Sequence, residues 1–297
     1  MNFNNAIVLL SALAIVSSAA SALEPGDHSR ILTINGEPRS YVLHLPPLEH
    51  KRPLPLVLML HGAGGSAAHI SAATGLSKKA DAAGFAVAYP NGSTAFSDLA
   101  RTWNAGRCCG PAAMAGVDDV AFLKAVLKDA KSVAPTDRVF VAGFSNGGMM
   151  AYRLACELVE EIAALAVVAA TFEDSCKPSA PIPLLAIHGM HDGLVPFNGI
   201  AQSSAPLMQA TTSVPESVAR FARGNGCNGE LAMNEDLGLR DSRYVNCKAT
   251  VRLIALKRGA HAWPGGRKIY PWEAEPTHEI SATELIWKFF SQEAGRN

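Results

Sequence analysis

The chain has 297 residues, 48% of them hydrophobic, and 26 lysines and arginines balance 26 aspartates and glutamates. That length and apolar fraction suffice for one substantial core, so a single folded unit is expected. With no net charge and no basic run of five residues, the chain lacks the electrostatic footprint of a nucleic-acid or anionic-membrane partner, which leaves a small, weakly charged substrate or a neutral polymer.

The first elements concern delivery. Ala6 to Val16 is apolar and is followed by small residues ending in Ala20-Ser21-Ala22, the pattern of an export signal cut before Leu23. Residues 1–22 are therefore expected to be a signal peptide and 23–297 the mature domain, secreted or periplasmic. Met-Asn-Phe-Asn-Asn leaves only the terminal amine to supply the usual positive start. The apolar stretch is too short to span a bilayer comfortably, and no later segment reads as transmembrane, so no stable membrane insertion is expected.

Arg30 to Ile34 and Arg39 to Leu45 flank Asn35-Gly36, a dipeptide that tolerates the positive φ of a tight hairpin turn. The pattern then changes to short continuous apolar runs at Leu54–Leu60, Phe85–Tyr89, Val139–Ala142, Ala163–Ala169, Pro183–Ile187 and Val251–Leu256, as expected of parallel strands buried on both faces. Helical periodicity lies between them. Val117 to Lys131 places Val120, Leu123 and Leu127 on one face, with Asp118 and Asp119 at its positive end. Residues 146–160 form another helix. The last begins with Ser281 and Glu284 as a capping box and buries Leu285, Ile286, Phe289 and Phe290. The fold class is α/β: a mainly parallel sheet with helices on both faces and an N-terminal antiparallel hairpin. No repeat, low-complexity linker or second module interrupts it.

Six cysteines in an exported chain imply disulfides. Cys156 with Cys176 and Cys227 with Cys247 each close a modest loop and are the preferred pairs. The adjacent Cys108 and Cys109 pair with each other or elsewhere. A zinc cluster is disfavoured because no C-x-x-C spacing occurs, and His188 with His191 lack a third ligand, so no metal or cofactor is expected.

The chemistry-bearing residues begin with Gly143-Phe144-Ser145-Asn146-Gly147, placed between a buried strand and a helix. A serine there projects from a sharp turn, and glycines on either side remove Cβ atoms that would collide. A serine hydroxyl needs a base within hydrogen-bond reach and an acid behind that base, in the chain order serine, acid, histidine. His261, in the loop Gly259-Ala260-His261-Ala262-Trp263-Pro264-Gly265, suits the base; His278 reads as a surface residue. Asp192, in His188-Gly189-Met190-His191-Asp192-Gly193, suits the acid, with Glu173 and Asp174 as competitors. His61-Gly62-Ala63-Gly64-Gly65 supplies a loop whose Ala63 amide, with that of Asn146, could face an oxyanion. A nucleotide reading of this loop lacks the Walker lysine and any G-x-G-x-x-G followed by an acidic residue.

These motifs, with Tyr89-Pro90-Asn91-Gly92, Trp103-Asn104-Ala105-Gly106, Cys108-Cys109-Gly110, Met149-Met150-Ala151-Tyr152, Val195-Pro196-Phe197 and Asn225-Gly226-Cys227, resemble the polyhydroxybutyrate-depolymerase and feruloyl-esterase (LpqC-like) family of α/β-hydrolases. The resemblance implies a serine carboxylic-ester hydrolase with nucleophile, acid and base at Ser145, Asp192 and His261. Members act on feruloyl esters, acetylated xylan, aliphatic polyesters and aryl esters. Depolymerases of the group often carry a cysteine where Ala63 stands and an appended binding module, so a feruloyl or other hydroxycinnamoyl ester, or a short hydroxyalkanoate ester, of plant cell-wall or polyester origin is the expected substrate. Polyester depolymerase and acetylxylan esterase are the alternatives. A serine peptidase or a non-catalytic polymer-binding protein is more distant. Trp263 and Phe197 flank the base and acid loops and either wall the substrate or pack beneath those loops; Trp103 reads as structural.

Overall fold

The computed structural model describes residues 23–47, 53–94, 101–108, 110–172, 177–199, 212–228, 231–236, 238–269 and 273–295. The expected signal peptide lies outside them. The hairpin forms first: β1 (Gly26–Ile34) and β2 (Glu37–Leu45) pair antiparallel around Asn35 and Gly36, both at positive φ (51° and 86°). Two consecutive positive φ angles give a turn whose twist matches that of the strands it joins.

Next come β3 (Leu54–Leu60), α1 (Ala67–Thr74), α2 (Leu76–Ala83), β4 (Ala86–Pro90), the single-turn α3 (Gly110–Met114) and α4 (Asp119–Val133). β5 (Thr136–Phe144) leads into α5 (Asn146–Glu157), then β6 (Ala164–Val168), β7 (Leu184–Gly189), α6 (Val214–Gly224), β8 (Leu231–Glu235), β9 (Leu239–Tyr244), β10 (Val251–Leu256) and α7 (Ala282–Ala294). All ten strands join one sheet in the order β1-β2-β4-β3-β5-β6-β7-β10-β9-β8. The six from β4 to β10 are parallel, and both margins are antiparallel.

The continuous apolar runs are explained by two covered faces. Along β3, Leu56, Leu58 and Leu60 pack with α4, α5 and α6, whereas Val57 and Met59 pack with α1, α2 and α7. Alternation survives, but each face of the strand has its own core, so no polar side is needed. On α7, Ile286, Phe289 and Phe290 are buried as the periodicity predicts, and Phe290 stacks on Phe140 with centroids 4.6 Å apart.

Three expectations change in detail. The capping box of α7 is half formed: Ser281 accepts from the Glu284 amide at 3.3 Å, while the Glu284 carboxylate turns outward to Lys79 at 2.5 Å. Asp118 caps α4 by accepting from the Ala121 amide, but Asp119 is fully buried and pairs with Arg39 at 2.7 Å, the guanidinium lying over the Phe122 ring. The margin β9–β8, beyond β10, adds a second antiparallel edge to the one the hairpin supplies.

Candidate active site

β5 runs up the middle of the sheet and ends beside α5, with Ser145 between them at φ 53°, ψ −124°. This backbone is costly for a residue bearing a Cβ, by about 1–3 kcal/mol, and persists only where surrounding packing dictates it. The dictating contacts are visible. A Cβ on Gly143 would stand 2.2 Å from the Gly147 carbonyl oxygen, and one on Gly147 would stand 2.4 Å from those of Leu60 and His61. The helix therefore begins almost against the ends of β5 and β3, lifting the Ser145 side chain above the sheet. The Ser145 amide donates to Val168 of β6 at 2.9 Å, which ties the turn to the neighbouring strand.

β7 and β10 are paired neighbours, so the loops that leave their carboxyl ends meet. A Cβ on Gly189 would fall 2.3 Å from the Gly259 carbonyl oxygen, and the His191 amide donates to that same oxygen at 2.9 Å. Two loops far apart in sequence are thus stitched together, one carrying Asp192 and the other His261. His261 Nδ1 donates to Asp192 Oδ2 at 2.8 Å, and the Ser145 hydroxyl donates to His261 Nε2 at 3.0 Å. A carboxylate can only accept, so Nδ1 carries the proton and Nε2 is left to receive one. The Phe144 ring lies 5.0 Å from the imidazole and limits its tilt.

Asp192 is buried, which by itself would raise its pKa. Hydrogen bonds from His188, His261 and the Val195 amide outweigh that and hold the carboxyl well below the usual carboxylate range. Its Oδ1 accepts from the Leu194 and Val195 amides at 2.9 and 2.7 Å. His188, on β7, approaches Oδ2 at 3.4 Å while donating from Nε2 to the Val195 carbonyl at 2.8 Å. Sequence alone weighs His188 only as a metal ligand and assigns it no part beside Asp192. Its i,i+4 spacing from Asp192 is the signal for this second partner.

The oxyanion-loop candidates lie across from the histidine. A Cβ on Gly62 would come within 3.2 Å of the Ser145 Cβ, so the loop passes directly by the serine. The amides of Ala63 and Asn146 find no acceptor among the described residues, and the latter belongs to the open first turn of α5. Ala63 itself is exposed and Asn146 buried. His61 is fully buried and is held neutral, with burial driving its pKa down to about 4.

The remaining candidates separate clearly. Trp263 and Phe197 are buried, which favours packing beneath the loops. The Trp263 indole donates to Thr283 Oγ1 at 3.0 Å and meets Phe144 edge-on, while Phe197 meets His188 edge-on. His278 is exposed, and Glu173 and Asp174 lie outside the described residues. Cys227 and Cys247 are joined, as preferred. Cys108 and Cys156 are also disulfide-bonded, but their expected partners, Cys109 and Cys176, lie outside the described residues. A broad polar depression at the opposite edge of the sheet, lined among others by Arg138, Glu161, Pro183 and Arg243, includes none of the three triad candidates.

A family model described as "Esterase PHB depolymerase" matches residues 39–207, a span that holds the oxyanion-loop, serine and acid candidates. The chain belongs to this esterase family. It is a carboxylic ester hydrolase of the α/β-hydrolase type. Among its relatives, NocK of Nocardia uniformis subsp. tsuyamanensis, an esterase by inferred assignment, is 34% identical over 271 residues, covering 80% of this chain and 74% of its own. Feruloyl esterase C of Emericella nidulans is 30% identical over 267 residues, covering 86% and 84%. An acetyl xylan esterase from Aspergillus awamori superposes with a TM-score of 0.54 at 15% identity, covering 79% of this chain and 94% of that one, and so shares the fold.

Proposed function

We propose that the protein is an exported serine esterase that cleaves feruloyl or other hydroxycinnamoyl esters, or short hydroxyalkanoate esters, through an acyl-serine intermediate. The observation that carries this reading is the continuous hydrogen-bonded chain from the Ser145 hydroxyl through His261 to Asp192, at 3.0 and 2.8 Å. His261 Nε2 takes the serine proton as Oγ attacks the ester carbonyl, and the Asp192 carboxylate holds the tautomer and stabilises the imidazolium that forms. The amides of Ala63 and Asn146 receive the negative charge that develops on the carbonyl oxygen. His261 then returns its proton to the leaving alcohol. In the second half it activates water against the acyl-serine, restoring the free hydroxyl.

The substrate class is supported by relatives named feruloyl esterase, together with Ala63 at the place where depolymerases of the resembling group often carry cysteine. On this geometry Trp263 and Phe197 support the loops, and the exposed apolar Leu194 on the acid loop is the better contact for an acyl chain. Export is supported by the Cys227–Cys247 disulfide, which persists in oxidising compartments, and residues 1–22 are the proposed signal with 23–297 as the catalytic domain.

The test is Ser145→Ala. Turnover of p-nitrophenyl butyrate should fall to the solution background, and a variant that keeps wild-type turnover overturns the mechanism. Methyl ferulate, acetylated xylan and poly(3-hydroxybutyrate) film, compared at equal enzyme, then resolve the substrate; methyl ferulate is expected to give the highest kcat/KM.

A further inference from the structure

The two amides assigned to the oxyanion belong to different parts of the fold, one on the loop after β3 and the other at the start of α5. Something must fix their relative direction, because such donors work only when aimed at a single point before the charge appears. Trp103 touches both. It is fully buried on the connection after β4, and its backbone forms a reciprocal pair with the Asn146 side chain. The Trp103 amide donates to Asn146 Oδ1 at 2.7 Å, and Asn146 Nδ2 donates to the Trp103 carbonyl at 3.0 Å. The indole Nε1 of the same residue donates to the His61 carbonyl at 2.9 Å, and its ring lies 5.0 Å from the His61 imidazole.

From His61 the constraint passes to Ala63 through two peptide groups. His61 Nε2 accepts from the Gly92 amide at 2.9 Å, so in the neutral ring Nδ1 carries the proton and donates to the Gly62 carbonyl at 2.7 Å. The Gly65 amide donates to the same carbonyl at 3.0 Å. In a trans peptide the C=O and the following N–H point in opposite directions. Turning the Gly62 carbonyl inward onto His61 and Gly65 therefore turns the Ala63 N–H away from them, fixing its direction. Gly92 and Trp103 flank one small bridge, in which Ser93 and Thr102 exchange backbone hydrogen bonds at 3.2 and 3.0 Å, so both clamps on His61 move as one piece.

We propose that Trp103 is a positioning residue that couples the two arms of the oxyanion hole, setting the aim of the Ala63 and Asn146 amides together. This rests on the acyl-serine reading above and adds a residue that never touches the substrate.

The experiment compares Trp103→Phe, Asn146→Ala and the double variant in the full-length enzyme, with thermal unfolding to confirm that each is folded. Each single change should lower kcat for p-nitrophenyl butyrate about ten- to hundred-fold with little change in KM, the size of a sub-ångström misalignment of catalytic groups. Affinity for an aryl trifluoromethyl ketone, which forms a tetrahedral adduct on the serine, should fall by the same factor. The double variant should be no worse than the weaker single, since either change breaks the same brace. A folded Trp103→Phe enzyme with wild-type kcat and ketone affinity overturns the proposal, as do single effects that multiply in the double. If Trp103→Phe does not fold, Asn146→Ala decides, and unchanged ketone affinity in it is the overturning result. Ser145→Ala separates the two levels. If it is inactive while folded Trp103→Phe is unaffected, only the coupling fails; if it stays active, the acyl-serine reading itself fails.

Discussion

The close approach of α5 to the end of β3 makes Gly147→Ala an informative perturbation. Its Cβ would stand 2.4 Å from both the Leu60 and His61 carbonyl oxygens, and neighbouring heavy atoms are not found nearer than 3.0 Å to a Cβ. The gap must open by about 0.6 Å, and because both obstacles are backbone, no rotamer change relieves them. The helix cannot easily retreat either, since Gly148 already lies where a Cβ would be 2.6 Å from that of Ala170. The displacement goes into the His61–Ala63 loop, away from Ser145. Overpacking of this kind costs about 1–3 kcal/mol, a fall in Tm of several degrees, and the misaligned loop should reduce kcat by about ten- to hundred-fold. Initial rates with p-nitrophenyl butyrate and thermal unfolding measure both. Gly224→Ala, where a Cβ would meet nothing within 4 Å, is the control and should change stability by no more than about 0.5 kcal/mol. A Gly147→Ala enzyme with the kcat and Tm of the control would refute the argument that this contact sets the loop position.

Three further outcomes are expected. Asp192→Asn, which preserves shape but favours the wrong imidazole tautomer, should lower kcat by about ten-thousand-fold with KM little changed, as read by steady-state kinetics. His61 takes up a proton near pH 4 in the folded protein against 6.5 in the free side chain, so stability should fall as pH drops from 6.5 to 4 and be independent of this group above that window; its share is roughly 3 kcal/mol. Urea unfolding across pH 4–7 measures the slope, and an NMR titration placing the His61 ring near 6.5 would contradict it. The depressed Asp192 adds stability that is lost only at still lower pH, as its carboxylate is protonated. Replacing Cys227 and Cys247 together by serine opens a link between residues 20 apart and should cost about 3 kcal/mol in urea unfolding at unchanged kcat.

The readable parts of this chain are those whose signals are local. Asn35-Gly36 specifies its own turn, β3 and β10 are recognisable as uninterrupted apolar runs, and Ser145 announces itself through glycines two residues away. The strands β8 and β9 lack such a signal. They sit at a margin where the arginines of Leu239–Tyr244 face solvent and Asp241 pairs with Arg252, so neither hydrophobic continuity nor clean alternation marks them. Helix α6 does carry a readable start, Ser213 accepting from the Glu216 amide with Pro215 in the first turn, although its position in a long interval of mixed composition obscures it. The contacts that join His61, Trp103 and Asn146 to one another and to Gly92 are invisible in sequence for another reason: they span 31 to 43 residues, and only folding reveals which backbone groups are satisfied.

The pairing of β7 with β10 has a consequence for how such an enzyme can change. Asp192 and His261 are 69 residues apart along the chain, yet the strands that precede them, β7 and β10, are sheet neighbours. Between them the chain forms α6 and the margin strands β8 and β9 before returning beside β7, and it is fastened by Asn225, whose side-chain amide accepts from the Ile182 N–H and donates to the Ile182 and Ala249 carbonyls near the amino ends of β7 and β10. With one end held by the pairing of β7 with β10 and the other by Asn225, substitutions on the exposed face of α6 are expected to leave the Asp192–His261 contact in place.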